Sequence, residues 1–218
     1  MTGASPIRTI ESAADIAEGM AHLRRVEPRF AQVEACCGPP PLRRHADGFG
    51  ALMRAIVSQQ LSVAAADAVC RRLEAAGFTR PDAILAANEA ALRAAGLSRQ
   101  KIAYLRDLAA AGIDWEGLRT LPDEAVIARL TAVRGVGRWT AEIYLMFSLG
   151  RTDAFAAADL ALQEAARMLF GLAERPREKA LRALAAPWAP WRAVAARALW
   201  QWYRHARGRE GVTGGAPG

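Results

Sequence analysis

Nine residues, Arg134 to Glu142 (RGVGRWTAE), and an aspartate, Asp159, twenty positions beyond Trp139, are the part of this chain best suited to chemistry. Gly135 and Gly137 bracket a single valine between two stretches of helical periodicity, the pattern of a tight hairpin. Both glycines tolerate positive φ and let an anion or a bridging cation come close to the backbone. The N–H groups that open the second helix, unpaired in any α-helix, suit a phosphate. Leu130, Val133 and Val136 are apolar, as packing of the hairpin requires, while Arg138 and Thr140 put polar groups at the helix start. An acid placed one helix and one loop later can act on whatever the hairpin holds. The combination points to a protein that grips a nucleic-acid backbone and does chemistry beside it. An ordinary helix-to-helix turn, which also favours glycine, is the plain alternative.

The elements that must position these residues are helical. Alanine and leucine dominate, apolar positions recur at three and four, and no convincing strand pattern appears. Glu11 to Val26 and Glu27 to Cys36 read as two helices, ended by Gly38 and three prolines. Asp47 opens a helix to about Ile56, and Ser58 to Ser62 (SQQLS) marks a bend before a helix that stops at Gly77. Thr79 with Pro81, then Asn88, then Ser98 start three more by N-cap chemistry. Pro122 begins the first helix of the hairpin and Arg138 to Leu149 forms the second. Gly150 to Ala158 is a loop, Asp159 opens a helix ending near Gly171, and Arg177 to Ala186 and a last helix through Ala206 follow. The count is roughly ten. Residues 90–103 and 129–142 form a faint repeat whose first copy lacks the second glycine and reads as structural. Residues 1–10 and 207–218 read as disordered tails around a core at 11–206.

Bulk properties agree. The 218 residues, 52% hydrophobic, can bury one substantial core or two small lobes. Twenty-nine Lys plus Arg against 22 Asp plus Glu give a formal charge of +7, which favours anionic partners. Nearly all the positive charge is arginine, suited to two-point phosphate contacts but equally the product of a GC-rich genome. Three cysteines, Cys36 and Cys37 adjacent and Cys70 remote, form neither a disulfide framework nor a metal or iron–sulfur spacing. With no signal peptide and no membrane-length apolar run, the expected setting is the cytoplasm, at the nucleoid in a bacterium.

Four stretches in order, AIVSQQLSVAAA, GLSRQKIAYLRDLA, LTAVRGVGRWTAEIYLMFSLGRTDAFAAADLALQ and PWAPWRAVAARALWQWY, resemble the helix-hairpin-helix superfamily of base-excision DNA glycosylases. Within it the likeness is to the 3-methyladenine DNA glycosylase II branch, and it covers roughly residues 45–205. The resemblance implies an all-α fold with an active-site cleft between two lobes, a hairpin lobe at about 48–160 and a second lobe from the N-terminal helices plus 160–206. With only about 45 residues ahead of the core, the N-terminal α/β domain of some longer relatives is not expected. Asp159 stands at the catalytic position, where a carboxylate stabilises the positive charge that builds on deoxyribose as the N-glycosidic bond breaks. Its plain alternative is an N-cap, although Leu162 gives no capping box. The run Phe155-Ala156-Ala157-Ala158 departs from the family, which often has a proline and a second acid there, and leaves loop rigidity open, with Asp153 as the fallback carboxylate.

The same resemblance places Trp139 and Trp200 in the base pocket, with Tyr144 as a further wall or a core residue. A cationic alkylated purine on indole gains roughly 0.5–2 kcal/mol that a neutral base does not. The other tryptophans read as core. Trp139 also stands where strand-cleaving relatives carry a Schiff-base lysine, which implies hydrolysis alone without lyase chemistry. No cofactor is implied, and in particular no iron–sulfur cluster. DNA contacts fall to Gly135, Val136, Gly137, Arg138 and Thr140 of the hairpin and to Gln59, Gln60, Leu61 and Ser62, with Gln60 or Leu61 as the wedge that fills the gap left by an extruded base. A monovalent cation can bridge at the backbone of Arg134 and Val136. Arg99, Lys101 and Arg192 are candidate phosphate contacts or plain surface charge. The expected function is excision of alkylated bases such as 3-methyladenine or 7-methylguanine from double-stranded DNA by a monomer working from the minor groove. A glycosylase for hypoxanthine, uracil or an etheno-adduct, and a non-catalytic DNA-binding module, are the alternatives.

Overall fold

A computed structural model describes residues 7–208, and in it the described chain is helical with no strand. In order the helices are α1 (Ala13–Val26), α2 (Arg29–Cys37), α3 (Phe49–Ser58), α4 (Val63–Ala75), α5 (Pro81–Ala86), α6 (Glu89–Ala94) and α7 (Arg99–Ala110). There follow α8 (Trp115–Leu118), α9 (Asp123–Thr131), α10 (Arg138–Phe147), α11 (Leu160–Phe170), α12 (Glu178–Leu184), a 3₁₀ turn (Ala186–Trp188) and α13 (Arg192–Arg207). Two compact units result, one of residues through Arg44 together with those from Leu145 onward, the other His45–Tyr144.

The helices of the second unit start where side chains can take up orphan N–H groups. Ser62 accepts from Ala65 N, Asn88 from Ala91 N and Ser98 from Lys101 N, as their residue types predict. Thr79 is not a cap. Arg80 precedes α5 without a side-chain cap bond, and Pro81 at the first helical position presets φ instead. Helix α8 is a single turn, capped by Asp114 onto Gly117 N, too short to show any periodicity. Leu52, Ile56, Leu73, Ile84, Leu92, Leu105, Val126 and Leu130 make this unit's core.

In the other unit, Trp188 lies between Phe30, Phe155 and Phe170, with ring centroids at 5.3, 5.9 and 5.8 Å. Gly19 lets α1 pack tightly, since a Cβ there would come within 2.7 Å of Val194. Arg197 is buried. It donates to the carbonyls of Met146 (2.8 Å), Ala193 (2.9 Å) and Leu42 (3.2 Å) and lies over the Phe147 ring, and burial lowers its pKa to about 9.

Two expectations about boundaries fail. Residues 7–10, expected within a disordered tail, are held in place: Ile10 is fully buried, its N–H donates to Gly150 O (2.7 Å), and Thr9 bridges Arg151. Short polar segments carry no periodicity, so this pairing with a distant loop is invisible locally. The remaining tail residues, 1–6 and 209–218, lie outside the described residues; α13 itself runs to Arg207, with Gly208 in the left-handed conformation as its cap. The unit boundary also falls at 144/145, within α10, rather than near 160. The physical reason is a set of arginines in the first unit: Arg197 holds Met146 O, Arg44 holds Ser148 O (3.1 Å), and Arg192 holds Asp153 (2.6 and 2.7 Å).

Candidate functional site

Two turns stand together in the His45–Tyr144 unit. In the first, Val136 N donates to Val133 O (3.0 Å) and Gly135 has φ +92°. That is type II geometry, which demands a left-handed third residue and so selects glycine. The turn also needs the missing side chain for space, because a Cβ on Gly135 would lie 2.5 Å from Cγ of Tyr104. Gly137 differs. Its φ is outside the left-handed region and an added Cβ would meet nothing within 4 Å, so positive φ is required of only one of the two glycines. Gly137 is the N-cap of α10, accepting from Ala141 N (3.0 Å), and has no side chain with which to cap it.

The second turn is Ser58–Leu61. Leu61 N donates to Ser58 O (3.2 Å), Gln59 has φ −55° and ψ 128°, and Gln60 has φ +58°. The same type II form is thus built with a glutamine at the position that favours glycine, at a cost of roughly 1–2 kcal/mol. Gln60 and Leu61 are exposed at its tip, Leu61 by 41%. Gln59 turns inward and donates from Nε2 to Gly135 O (2.9 Å), and Ser62 is taken up as the cap of α4.

Several predicted DNA contacts have other work. Arg138 is held by Glu124 (2.6 and 3.2 Å) in α9 and Glu142 (2.9 Å) in α10, which staples the hairpin and raises the pKa of its guanidinium. The Thr140 side chain is buried, 6% exposed, as is Val136, whose N–H is also taken up by Val133 O, so neither side chain reaches outward. Lys101 donates to Val57 O (2.6 Å) at the end of α3, and burial lowers its pKa. Arg99 is an exposed partner of Glu89, and Arg192 is committed to Asp153, which removes Asp153 as a fallback acid. Trp139 is 36% exposed beside the glycine turn. Tyr144 is a core residue: its hydroxyl accepts from Gly48 N (3.0 Å) ahead of α3, Trp115 packs on it at 6.2 Å, and burial pushes its pKa up to about 12. In the repeat, Arg72 packs against Gly96 and donates to Ala95 O (2.9 Å).

In the other unit Asp159 caps α11 and is 7% exposed. Its Oδ1 accepts from Ala161 N (2.9 Å), Leu162 N (3.0 Å) and the Trp200 indole N–H (3.1 Å). Trp200 is itself buried against Phe147 at 5.7 Å. The loop that delivers the acid is rigid without a proline: Gln163 Nε2 donates to Ala157 O (2.9 Å), Arg182 to Phe155 O (3.2 Å), and Asp159 N to Ala156 O (2.9 Å). Sequence reasoning missed Gln163, whose one signal is a buried-face position one turn beyond the acid. It likewise missed the Gln59 bond and the Tyr104 platform, contacts between segments that no local pattern encodes. Among the described residues no cluster of His, Cys, Asp and Glu could hold a metal ion, and no helix is long and apolar enough to cross a membrane.

Comparison with known proteins gives these features a context. Residues 53–190 match the HhH-GPD superfamily, described as base excision DNA repair proteins. The alkylbase DNA glycosidase-like protein mag2 of Schizosaccharomyces pombe is 29% identical over 192 residues, 83% of this chain and 90% of its own length. DNA-3-methyladenine glycosylase 1 of the same yeast is 36% identical over 159 residues, 69% of this chain and 70% of that one. A crystal structure of DNA-3-methyladenine glycosidase from Bacillus halodurans superposes with a TM-score of 0.77 at 32% identity, over 92% of both chains. The S. pombe 3-methyladenine DNA glycosylase Mag1 in complex with abasic DNA gives 0.73 at 29%, over 87% of this chain and 97% of that one.

Proposed function

The chain belongs to the HhH-GPD superfamily of base excision DNA repair proteins, and we propose that it is a monofunctional glycosylase that removes alkylated purines from double-stranded DNA. The observation that carries this reading is the placement of Asp159. An N-cap needs one or two backbone donors, yet this carboxylate is buried and also receives the indole N–H of Trp200. A carboxylate fixed that firmly is preorganised for charge that develops elsewhere.

In the proposed reaction the bond from C1′ to the purine nitrogen breaks, its electron pair leaves with the base, and positive charge spreads over C1′ and the ring oxygen. Asp159 stabilises that charge and orients a water, whose oxygen then bonds to C1′ as a proton is released. The products are free base and an abasic site. A cationic alkylated purine leaves readily, and the buried Trp200 indole serves the reaction by fixing Asp159 through its N–H. Trp139 has no amine with which to form an imine, which supports hydrolysis without strand cleavage.

DNA is held from the minor groove by a monomer. The backbone N–H groups at the start of α10 take a phosphate, and the Gln60–Leu61 tip enters the stack as the wedge. A monovalent cation, where bound, would sit on the carbonyls of Arg134 and Val136. The cytoplasm is the proposed setting. The test is incubation of wild type and Asp159→Asn with methylated duplex DNA, with released bases identified by chromatography. Release of 3-methyladenine or 7-methylguanine by wild type alone supports the reading. Full activity in the variant removes Asp159 from the mechanism, release of a different base reassigns the lesion, and a borohydride-trapped covalent complex overturns the monofunctional assignment.

A further inference from the structure

The two turns of the His45–Tyr144 unit are joined by more than proximity. Helix α7 serves both from one face. Its Lys101 holds Val57 O, at the end of the helix that leads into the Gln59–Gln60 turn. One turn later Tyr104 lies against Gly135, so closely that the turn has no room for a side chain. Tyr104 is fixed in its place by Gln100, whose Nε2 reaches its hydroxyl at 2.7 Å. Another turn on, Asp107 pairs with Arg134 (2.6 Å) of the glycine turn. Across this platform a single hydrogen bond links the tips: Gln59 Nε2 to Gly135 O, 2.9 Å. A carbonyl can only accept, so the donor in this contact is the amide nitrogen of Gln59.

The left-handed conformation of Gln60 shows what this linkage holds. A side-chain-bearing residue at the third position of a type II turn is disfavoured, and persists when its surroundings over-determine it. The residue before it is pinned by its side chain to Gly135, and the residue two after it is pinned as the cap of α4. We propose that Gln59 is a positioning residue for base extrusion, locking the wedge tip to the phosphate-binding turn so that gripping the backbone also fixes where the wedge enters. This rests on the wedge and phosphate roles assigned above. Without the bond the wedge turn is free to relax, and the advantage is lost where extrusion is hardest.

Extrusion costs least when the lesion is mismatched, so comparing substrates isolates it. Single-turnover excision of 7-methylguanine is measured for wild type and Gln59→Leu, with the lesion opposite cytosine and opposite thymine. The expected result is a loss of about tenfold for the paired lesion and about twofold or less for the mismatch, with the melting temperature lowered by no more than a few degrees. An equal loss on both substrates, or no loss, overturns the proposal. Should Gln59→Leu fail to fold, Gln59→Glu decides. Its carboxylate faces a carbonyl at pH 7.5 and regains a donor on protonation, so the paired-to-mismatched ratio should recover on acidification towards pH 5. A ratio independent of pH overturns the proposal. If wild type releases no 7-methylguanine from either duplex, the failure lies with the lesion or the glycosylase reading and not with Gln59.

Discussion

The niche around Asp159 and the pair of turns near Gly135 solve opposite problems. At Asp159 a functional group is buried and its orientation is over-determined by donors on one oxygen. At the turns, backbone and side-chain tips are left exposed, and rigidity comes from what lies behind them: Tyr104 under Gly135, and Gln59 between the two. Chemistry on a developing charge gains from a dry, fixed carboxylate. Gripping a polyanion gains from exposed N–H groups whose positions do not drift. One fold supplies both because a helix start can be furnished with a side-chain cap, as in α11, or begin at a glycine, as in α10.

The sharpest way to break this contrast is Asp159→Asn. Asparagine caps helices about as well as aspartate, so its Oδ1 keeps the donors of Ala161 and Leu162 and the melting temperature should hold within a few degrees. Excision should fall by about 10²–10³ while abasic DNA is still bound. A variant that unfolds instead would show that the acid serves the helix first. Asp159→Ala, which loses the cap as well, should cost about 1 kcal/mol in denaturant titration in addition to the activity.

How far each region could be read in advance follows from where its information lies. Gly135 is legible because a type II turn demands a residue type. Asp159 is legible because acid and cap chemistry both need an oxygen there. The Gln60 turn is legible only as a bend at Ser58–Ser62; its left-handed glutamine is not, since glutamine gives no signal for that conformation and the stabilising bond from Gln59 spans 76 positions to Gly135. Arg138 misleads for a related reason: an arginine at a helix start looks free in sequence, and only the fold shows Glu124 and Glu142 closing on it. The loop before Asp159 misleads in the opposite direction. Three alanines look floppy, and the fold makes them rigid through Gln163 and Arg182.

The next largest effect should come from Gly135→Ala. The residue sits at φ +92° and its new methyl would meet the Tyr104 ring, so about 2–4 kcal/mol of stability should be lost. The damage should also reach DNA binding, because the turn and the Gln59 bond shift together. Equilibrium unfolding and abasic-duplex titration of one preparation check both. Unchanged stability would mean that Tyr104 yields easily and is no platform.

Trp200→Phe sharpens the other side of the comparison. The ring contact with Phe147 is kept while the indole donor to Oδ1 is lost, and the bonds from Ala161 N and Leu162 N remain. Maximal excision rate should fall about tenfold with little change in duplex affinity. A loss of affinity with the rate intact would instead assign the indole to substrate grip.

The smallest effect, and the cleanest separation of protein need from DNA need, belongs to Gly137→Ala. Here φ is ordinary and the added methyl meets no protein atom within 4 Å. A less flexible unfolded chain favours alanine by about 0.4–1 kcal/mol, and alanine's poorer capping offsets this, so stability should change little. The methyl does, however, occupy the space through which a phosphate would approach the first N–H groups of α10. Abasic-duplex affinity should therefore fall a few-fold, roughly 1 kcal/mol, in a protein of normal melting temperature. Full affinity would show that Gly137 is a residue of the turn alone, and would move the phosphate away from this helix start.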